Sequence, residues 1–205
     1  GFVVPEADPE KGLEILAKIK DETQGGVLLN LGLDIAANSF YNKTENTYEF
    51  LGNHFTTLEL TNYYSQLLNR YELLSVEDPY SENDYNGFKS LNGLWGEKLW
   101  LIGDDLTTTN SDRLAKAIDE EAINGLIIKP NQIGTISETI AVAMTAQNNG
   151  FKTVVSHRSG ETLDDFIADL AVGIGADAFK SGAPIQPERM SKYNRLVEIE
   201  RELNA

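Results

Sequence analysis

The sequence predicts a parallel α/β fold of the TIM-type (β/α) barrel class, with about six strand–helix units and without the first strands of a complete barrel. Three observations predict it. Short apolar runs alternate with amphipathic stretches along the whole chain, which is the order of a parallel sheet with crossover helices. Each run ends in a polar residue: Asp34, Glu77, Asp104, Lys129, His157 and Lys180. The spacings of 43, 27, 25, 28 and 23 residues are close to one strand–helix unit apiece. The runs are also continuously apolar rather than alternating, as strands buried on both faces are. A complete barrel takes about 250 residues and eight strands, so six units in 205 residues correspond to a barrel lacking its first quarter. An open doubly wound sheet is the alternative, and it too gathers functional residues at strand carboxyl ends. Its nucleotide-binding versions are disfavoured, because neither G-x-G-x-x-G after the first strand nor G-x-x-x-x-G-K-[ST] occurs.

The elements follow in order. "GFVVPEADPEKG" reads as a loop entering a helix over 9–22, with Asp8 as N-cap and Pro9 at the first helical position. "GVLLNLGLD" is a strand ending at Asp34, and the polar stretch 42–53 a loop or hairpin insertion. A helix over 55–70 leads to the strand "LLSVED", ending at Asp78. A helix over 82–92 then leads to "LWLIGDD", ending at Asp105. The helix over 111–122 carries the stripe Leu114, Ala117, Ile118 and Ala122. "GLIIK" ends at Lys129, and the helix over 136–149 stops at Gly150, where a C′ glycine belongs. "TVVSH" ends at His157, a helix covers 161–174, "ADAFKSG" ends at Gly182, and the last helix, 187–203, presents Leu196, Ile199 and Leu203. Trp95 and Trp100 read as packing residues and His54 as ordinary surface. No linker or low-complexity segment interrupts the order, so residues 1–205 read as one domain.

Composition narrows the function. A 41% hydrophobic chain of 205 residues supports one sizeable core. Lys and Arg total 17 against 32 Asp and Glu, a net charge of -15. That surface repels nucleic-acid backbones and anionic lipid. An anionic ligand therefore needs a local cationic pocket or metal ions. There is no cysteine, which fits a reducing cytosol, and a cytoplasmic location is expected. No apolar run approaches the roughly 18 residues of a membrane span. The chain opens on Gly1 rather than Met, and its start reads as a cut rather than a natural terminus.

The strand ends carry the chemistry. Asp34, Glu77 and Asp104, on successive strands of such a fold, converge in one mouth, where unpaired carboxylates repel one another. A hard divalent cation resolves that, and Mg²⁺ takes a few carboxylates plus water and substrate oxygens. The competing reading is that each acid caps the helix that follows it. Lys129, two residues before Asn131, faces the same mouth and is a candidate base for a proton next to a carboxylate. "TVVSHRSGET" delivers Ser156, His157, Arg158 and Ser159 at the end of an apolar strand. Such a cluster suits an anion with several oxygens: Arg158 offers a planar fork for phosphate, and Ser159 with a following helix N-terminus adds donors. Lys180 supplies another cation. A helix cap at Ser159 would explain Ser159 and Glu161 but not His157 and Arg158.

In sequence, "GLDIAANSFY", "SVEDPYSENDY", "GDDLTTTN", "LIIKPNQIGT", "VVSHRSGET" and "FKSGAP" closely resemble the successive signature segments of the enolase family, and the likeness runs to the C-terminal "KYNRLVEIERELNA". The resemblance implies reversible, Mg²⁺-dependent dehydration of 2-phosphoglycerate to phosphoenolpyruvate, a lyase step of glycolysis and gluconeogenesis. By position, Asp34, Glu77 and Asp104 match the magnesium ligands, with Glu77 and Asp104 also bordering the substrate. Lys129 matches the base that takes the C2 proton. Arg158 and Ser159 match phosphate contacts, Ser156 and His157 lie in the same substrate-binding segment, and Lys180 matches a lysine on the substrate carboxylate. Enolase-superfamily sites pair a lysine or histidine base with one or two Mg²⁺, so the base-and-metal argument is not independent of the resemblance. The family also carries an N-terminal α+β domain, two earlier barrel strands, a general-acid Glu in a Gly-Asp-Glu-Gly-Gly-Phe run and mobile lid loops. None of these is in the chain, so the isolated 205 residues are expected to be inactive, and the full-length protein to be a homodimer. Another superfamily dehydratase and a non-catalytic binding or folding fragment are the alternatives.

Overall fold

A computed structural model describes residues 3–4, 8–23 and 28–205, and the chain divides into two compact units. The start of the loop "GFVVPEADPEKG" and the first residues of "GVLLNLGLD" fall partly outside the described residues.

The unit formed by residues 2–106 and 119–124 opens with helix α1 (Pro9–Glu22), where Asp8 caps the Glu10 amide and Pro9 opens the helix, as expected. Strand β1 (Leu31–Asp34) follows. The 42–53 insertion is a small antiparallel sheet of β2 (Tyr41–Asn42), β3 (Thr47–Phe50) and β4 (Asn53–Phe55). Helix α2 (Thr57–Arg70) starts from a capping box between Thr56 and Glu59. Strand β5 (Leu73–Glu77), helix α3 (Tyr85–Trp95) and strand β6 (Trp100–Gly103) complete the unit. β1 pairs β5 in parallel with Asp34 opposite Glu77, and β5 pairs β6 with Glu77 opposite Ile102. Tyr80, fully buried, packs edge-on against Tyr48, Tyr64 and Phe88 at ring-centre distances of 6.1, 5.7 and 5.5 Å. Gly87 permits this packing: a Cβ there would stand 2.7 Å from the Tyr80 ring. Trp95 is half-buried and donates to the Ser65 hydroxyl, a packing role as expected.

Residues 107–118 and 125–205 make the other unit. It holds α4 (Ser111–Asp119), β7 (Gly125–Ile128), the single turn α5 (Pro130–Ile133), α6 (Ile136–Asn148), β8 (Lys152–Ser156), α7 (Phe166–Gly173), β9 (Ala178–Lys180) and α8 (Pro187–Leu203). β7 pairs β8 and β8 pairs β9, both parallel, with Ile128 opposite Val155 and Ser156 opposite Lys180. Leu126, Ile127 and Ile128 have no exposed surface. Gly150 sits at φ 76°, the left-handed C′ position the sequence anticipates.

The larger differences from the expected helix boundaries concern α3, α4 and α7. α3 begins at Tyr85 rather than residue 82, because the Asp84 carboxylate accepts the Gly87 amide and sets the cap there. α4 ends at Asp119, and Glu121 takes a left-handed φ of 53°, so Ala122 is buried beyond the helix rather than on its stripe. α7 begins at Phe166 rather than 161. The outer strands also depart from the expected burial on both faces: β1 alternates half-buried and exposed residues, and β9 is half-buried throughout. On the last helix, Ile199 is buried while Leu203 is 75% exposed, so the stripe stops short of the C-terminal end.

Candidate functional site

The first unit carries the acidic group. Asp34 closes β1, Glu77 closes β5, and Asp104 follows the last residue of β6. In-register residues of a parallel pair share a sheet face, and side chains repeat every second residue. Asp34 is opposite Glu77, Glu77 is opposite Ile102, and Asp104 lies two residues past Ile102. The register thus puts Asp34 and Glu77 side by side on one face at one end of the strands, and Asp104 stands in the bend just past the same end of β6. Glu77 is 6% exposed, Asp104 is half-buried and Asp34 is exposed.

The side chains add a partner that sequence reasoning missed. Carboxylate oxygens of Asp78, Asp104 and Asp105 lie within 4.8 Å of one another. Asp78 accepts the backbone amides of Asp104 and Asp105 at 2.9 and 2.7 Å, and its own amide donates to Ile102 at 3.0 Å. Burial pushes its carboxyl up to about 7. The two amides oppose that rise, and the neighbouring Asp104 and Asp105 charges add to it. Asp78 thus supports the turn that aims Asp104, and the reading of each strand-end acid as a helix cap finds no support in this group. Hard carboxylate oxygens are the donor chemistry of Mg²⁺, so Asp34, Glu77 and Asp104 fit such an ion by donor type, while the carboxylates of this group that meet within 4.8 Å are those of Asp78, Asp104 and Asp105.

The second unit carries the cationic group. Lys129 follows β7, and its amide donates to the Thr109 hydroxyl at 2.9 Å. That hydroxyl also reaches Gln132 Oε1 at 2.7 Å, and Thr109 holds a left-handed φ of 52°. Lys180 closes β9, and its carbonyl accepts the His157 amide at 2.9 Å. Ser156 is buried, with its hydroxyl donating to the His157 carbonyl at 3.0 Å. Arg158 and Ser159 are exposed, and the Arg158 guanidinium donates to Asn131 Oδ1 at 2.8 Å. A cavity of about 330 Å³ is bordered by Asn131, Ser156, Arg158, Gly160 and Glu161, among others.

The segment 157–162 is not a helix start, and the expected donors of a helix N-terminus at Ser159 are absent from it. Glu161 instead accepts the Arg158 amide at 2.9 Å and pairs with Lys192 Nζ at 2.8 Å. Lys192 is fully buried and also donates to the Thr162 carbonyl at 2.5 Å. Burial alone would raise the Glu161 carboxyl. Lys192 and the amides of Arg158 and Thr162 outweigh it and hold the group below its usual range. Arg189 reaches the same loop from α8, binding His157 Nδ1 and the carbonyls of Arg158 and Ser159. Sequence reasoning missed Asp78, Thr109, Arg189 and Lys192. The one available signal was their place in or beside the quoted segments.

The whole chain, residues 1–205, matches the family model described as "Enolase, C-terminal TIM barrel domain", the fold class the strand–helix order predicts. The chain is similar to the enolase of Methanopyrus kandleri, with 42% identity over 205 residues that cover 99% of this chain and 48% of that protein. It is equally similar to enolase 2 of Lactiplantibacillus plantarum, with 42% identity over 208 residues, 100% of this chain and 48% of that protein. The chain thus spans about half the length of the curated relatives it matches.

Proposed function

We propose, from the premise that this chain belongs to the enolase C-terminal TIM barrel family, that it carries the metal-binding and proton-abstracting region of a phosphopyruvate hydratase. The reaction is the reversible dehydration of 2-phosphoglycerate to phosphoenolpyruvate, a lyase step of glycolysis. In this reading residues 1–205 act as one domain of a cytoplasmic, homodimeric enzyme. Among the described residues no helix is long and apolar enough to cross a membrane.

Asp34, Glu77 and Asp104 would hold Mg²⁺. The bound ion supplies positive charge against the negative charge that gathers on substrate carboxylate oxygens as the neighbouring proton leaves. Lys129 Nζ takes that C2 proton as general base. Its backbone is fixed by Thr109, which limits how far the amine can wander from a reacting carbon. Arg158 and Ser159 take the phosphate, and the bond from Arg158 to Asn131 orients the guanidinium before a ligand arrives. Lys180 takes the substrate carboxylate, while Ser156 and His157 complete the binding segment. The observation that supports this reading furthest is the register of β1 with β5, in which Asp34 stands opposite Glu77 at the strand ends.

The test uses the longest protein that carries this sequence. Lys129→Ala is expected to slow exchange of the substrate C2 proton with solvent by about 10²-fold or more, the usual contribution of a general base, while inorganic phosphate binds the variant as before. Exchange at the unaltered rate would remove Lys129 from this role.

A further inference from the structure

We propose that Arg189 is a positioning residue that holds His157 as the neutral tautomer protonated on Nε2, so that the imidazole presents a fixed N–H donor beside the Arg158–Ser159 segment. The tautomer assignment needs no substrate. Only its consequence, a hydrogen bond to a ligand oxyanion, rests on the function proposed above.

The argument starts from the chemistry of guanidinium. It has donors only and does not lose its proton in proteins. Arg189 Nη1 bonds to His157 Nδ1. That nitrogen must therefore offer its lone pair, and the ring proton must sit on Nε2. A protonated imidazole, with N–H on both nitrogens, cannot accept this bond.

The surroundings fix the ring as well as the proton. The His157 amide is tied to the Lys180 carbonyl at 2.9 Å. Gly182, at φ 77°, packs against the ring so closely that a Cβ there would meet His157 Cε1 at 3.2 Å and Arg189 Cδ at 3.5 Å. Arg189 also donates to the carbonyls of Arg158 at 2.8 Å and Ser159 at 3.0 Å. One side chain on α8 thus sets the ring and the backbone of the two residues after it.

Charge favours the same state. Burial disfavours the imidazolium, and Arg189, Lys180 and Lys129 disfavour it further, with Glu161 alone opposing them. An uncharged imidazole whose proton is held on Nε2 can donate to an oxyanion without a prior tautomer change.

The chain contains two histidines, which makes the test direct. Long-range proton–nitrogen NMR of the 205-residue chain resolves the tautomer of each ring. His157 is expected to show protonated Nε2 and unprotonated Nδ1 at neutral pH. Its titration midpoint should lie below the roughly 6.5 of an unperturbed histidine, and exposed His54 serves as the internal comparison. Arg189→Met should lose the single tautomer and move the His157 midpoint up, while Arg189→Lys, which keeps a donor-only cation without the planar fork, should restore the tautomer in part. Averaged nitrogen shifts or a proton on Nδ1 in the unaltered chain would overturn the proposal, whether or not the variants fold. Unchanged His157 spectra in a folded Arg189→Met chain would overturn it equally. Absent hydratase activity, with the tautomer as described, would count against the proposed function and leave this inference standing.

Discussion

Asp78 takes φ 43°, in the left-handed region that costs a side chain roughly 1 kcal/mol or more. It is held there by its own bonds. The carboxylate accepts two amides from the turn after β6, the backbone amide donates to Ile102, and the carbonyl accepts the Ala37 amide at 3.1 Å. One residue thereby links the ends of the three strands that bear Asp34, Glu77 and Asp104. Asp78→Ala would strand two turn amides, each worth about 1–3 kcal/mol when left unsatisfied. The expected loss is about 3 kcal/mol in denaturant unfolding, with Asp78→Asn, which keeps one acceptor oxygen, losing less. A loss below about 1 kcal/mol for the alanine variant would show that the turn stands without it. The sequence marks Asp78 as the end of an apolar run. It does not show the backbone leaving the strand there, because left-handed geometry leaves no trace in polarity patterns.

At the scale of elements, the helices and strands most legible in the sequence are those with strong local signals. Asp8–Pro9 fixes the start of α1, Thr56–Glu59 caps α2, Gly150 follows α6, and the uninterrupted apolar run of β7 is buried throughout. The start of α7 was not legible, because it is decided 30 residues away: Lys192 of α8 enters the fold to bind Glu161 and the Thr162 carbonyl, and so holds 161–162 out of a helix. A lysine on a charged C-terminal helix reads as solvent-facing, yet this side chain is 1% exposed. Removing one partner of a buried pair is destabilising, whereas replacing both with apolar residues is often neutral. Lys192→Met is therefore expected to lose about 2–3 kcal/mol, Glu161 being partly exposed, and Lys192→Met with Glu161→Leu to recover most of it. Additivity of the two single variants, with Glu161→Leu measured alone, would show that the pair has no coupling.

The same pair carries a pH signature. The Glu161 carboxyl is depressed in the fold, so its stabilisation is fully present above the unfolded value, about 4.3, and is lost as pH falls through the lower folded value. Acid unfolding of Lys192→Met should be shallower than that of the unaltered chain in the window below about pH 4. Parallel acid profiles would assign the depression to the amides rather than to Lys192.

For the whole molecule, a net charge of -15 makes ionic strength a variable. Raising salt from about 10 to 150 mM shortens the screening length from about 30 to 8 Å, and relief of self-repulsion should raise the thermal midpoint. A site that binds Mg²⁺ in the native state adds stability by mass action, about 2.7 kcal/mol at 100 times the dissociation constant. MgCl₂ should therefore raise the midpoint beyond NaCl of equal ionic strength, and the chain with Asp34→Asn, Glu77→Gln and Asp104→Asn together should lose that difference. Equal midpoints in the two salts for the unaltered chain would leave only screening.

Within each unit, the parallel strands pair in the order in which they occur along the chain: β1 with β5 and β5 with β6, then β7 with β8 and β8 with β9. During synthesis, chain emerges at about 5–20 residues per second, so each new strand in these pairs meets an edge that has already been translated. None of these pairings requires threading back past a later segment, and the loops to be closed span a few dozen residues, a modest entropic cost for a parallel sheet. A ribosome can thus release these strands one at a time, with every addition in these pairs covering the edge left open by the one before.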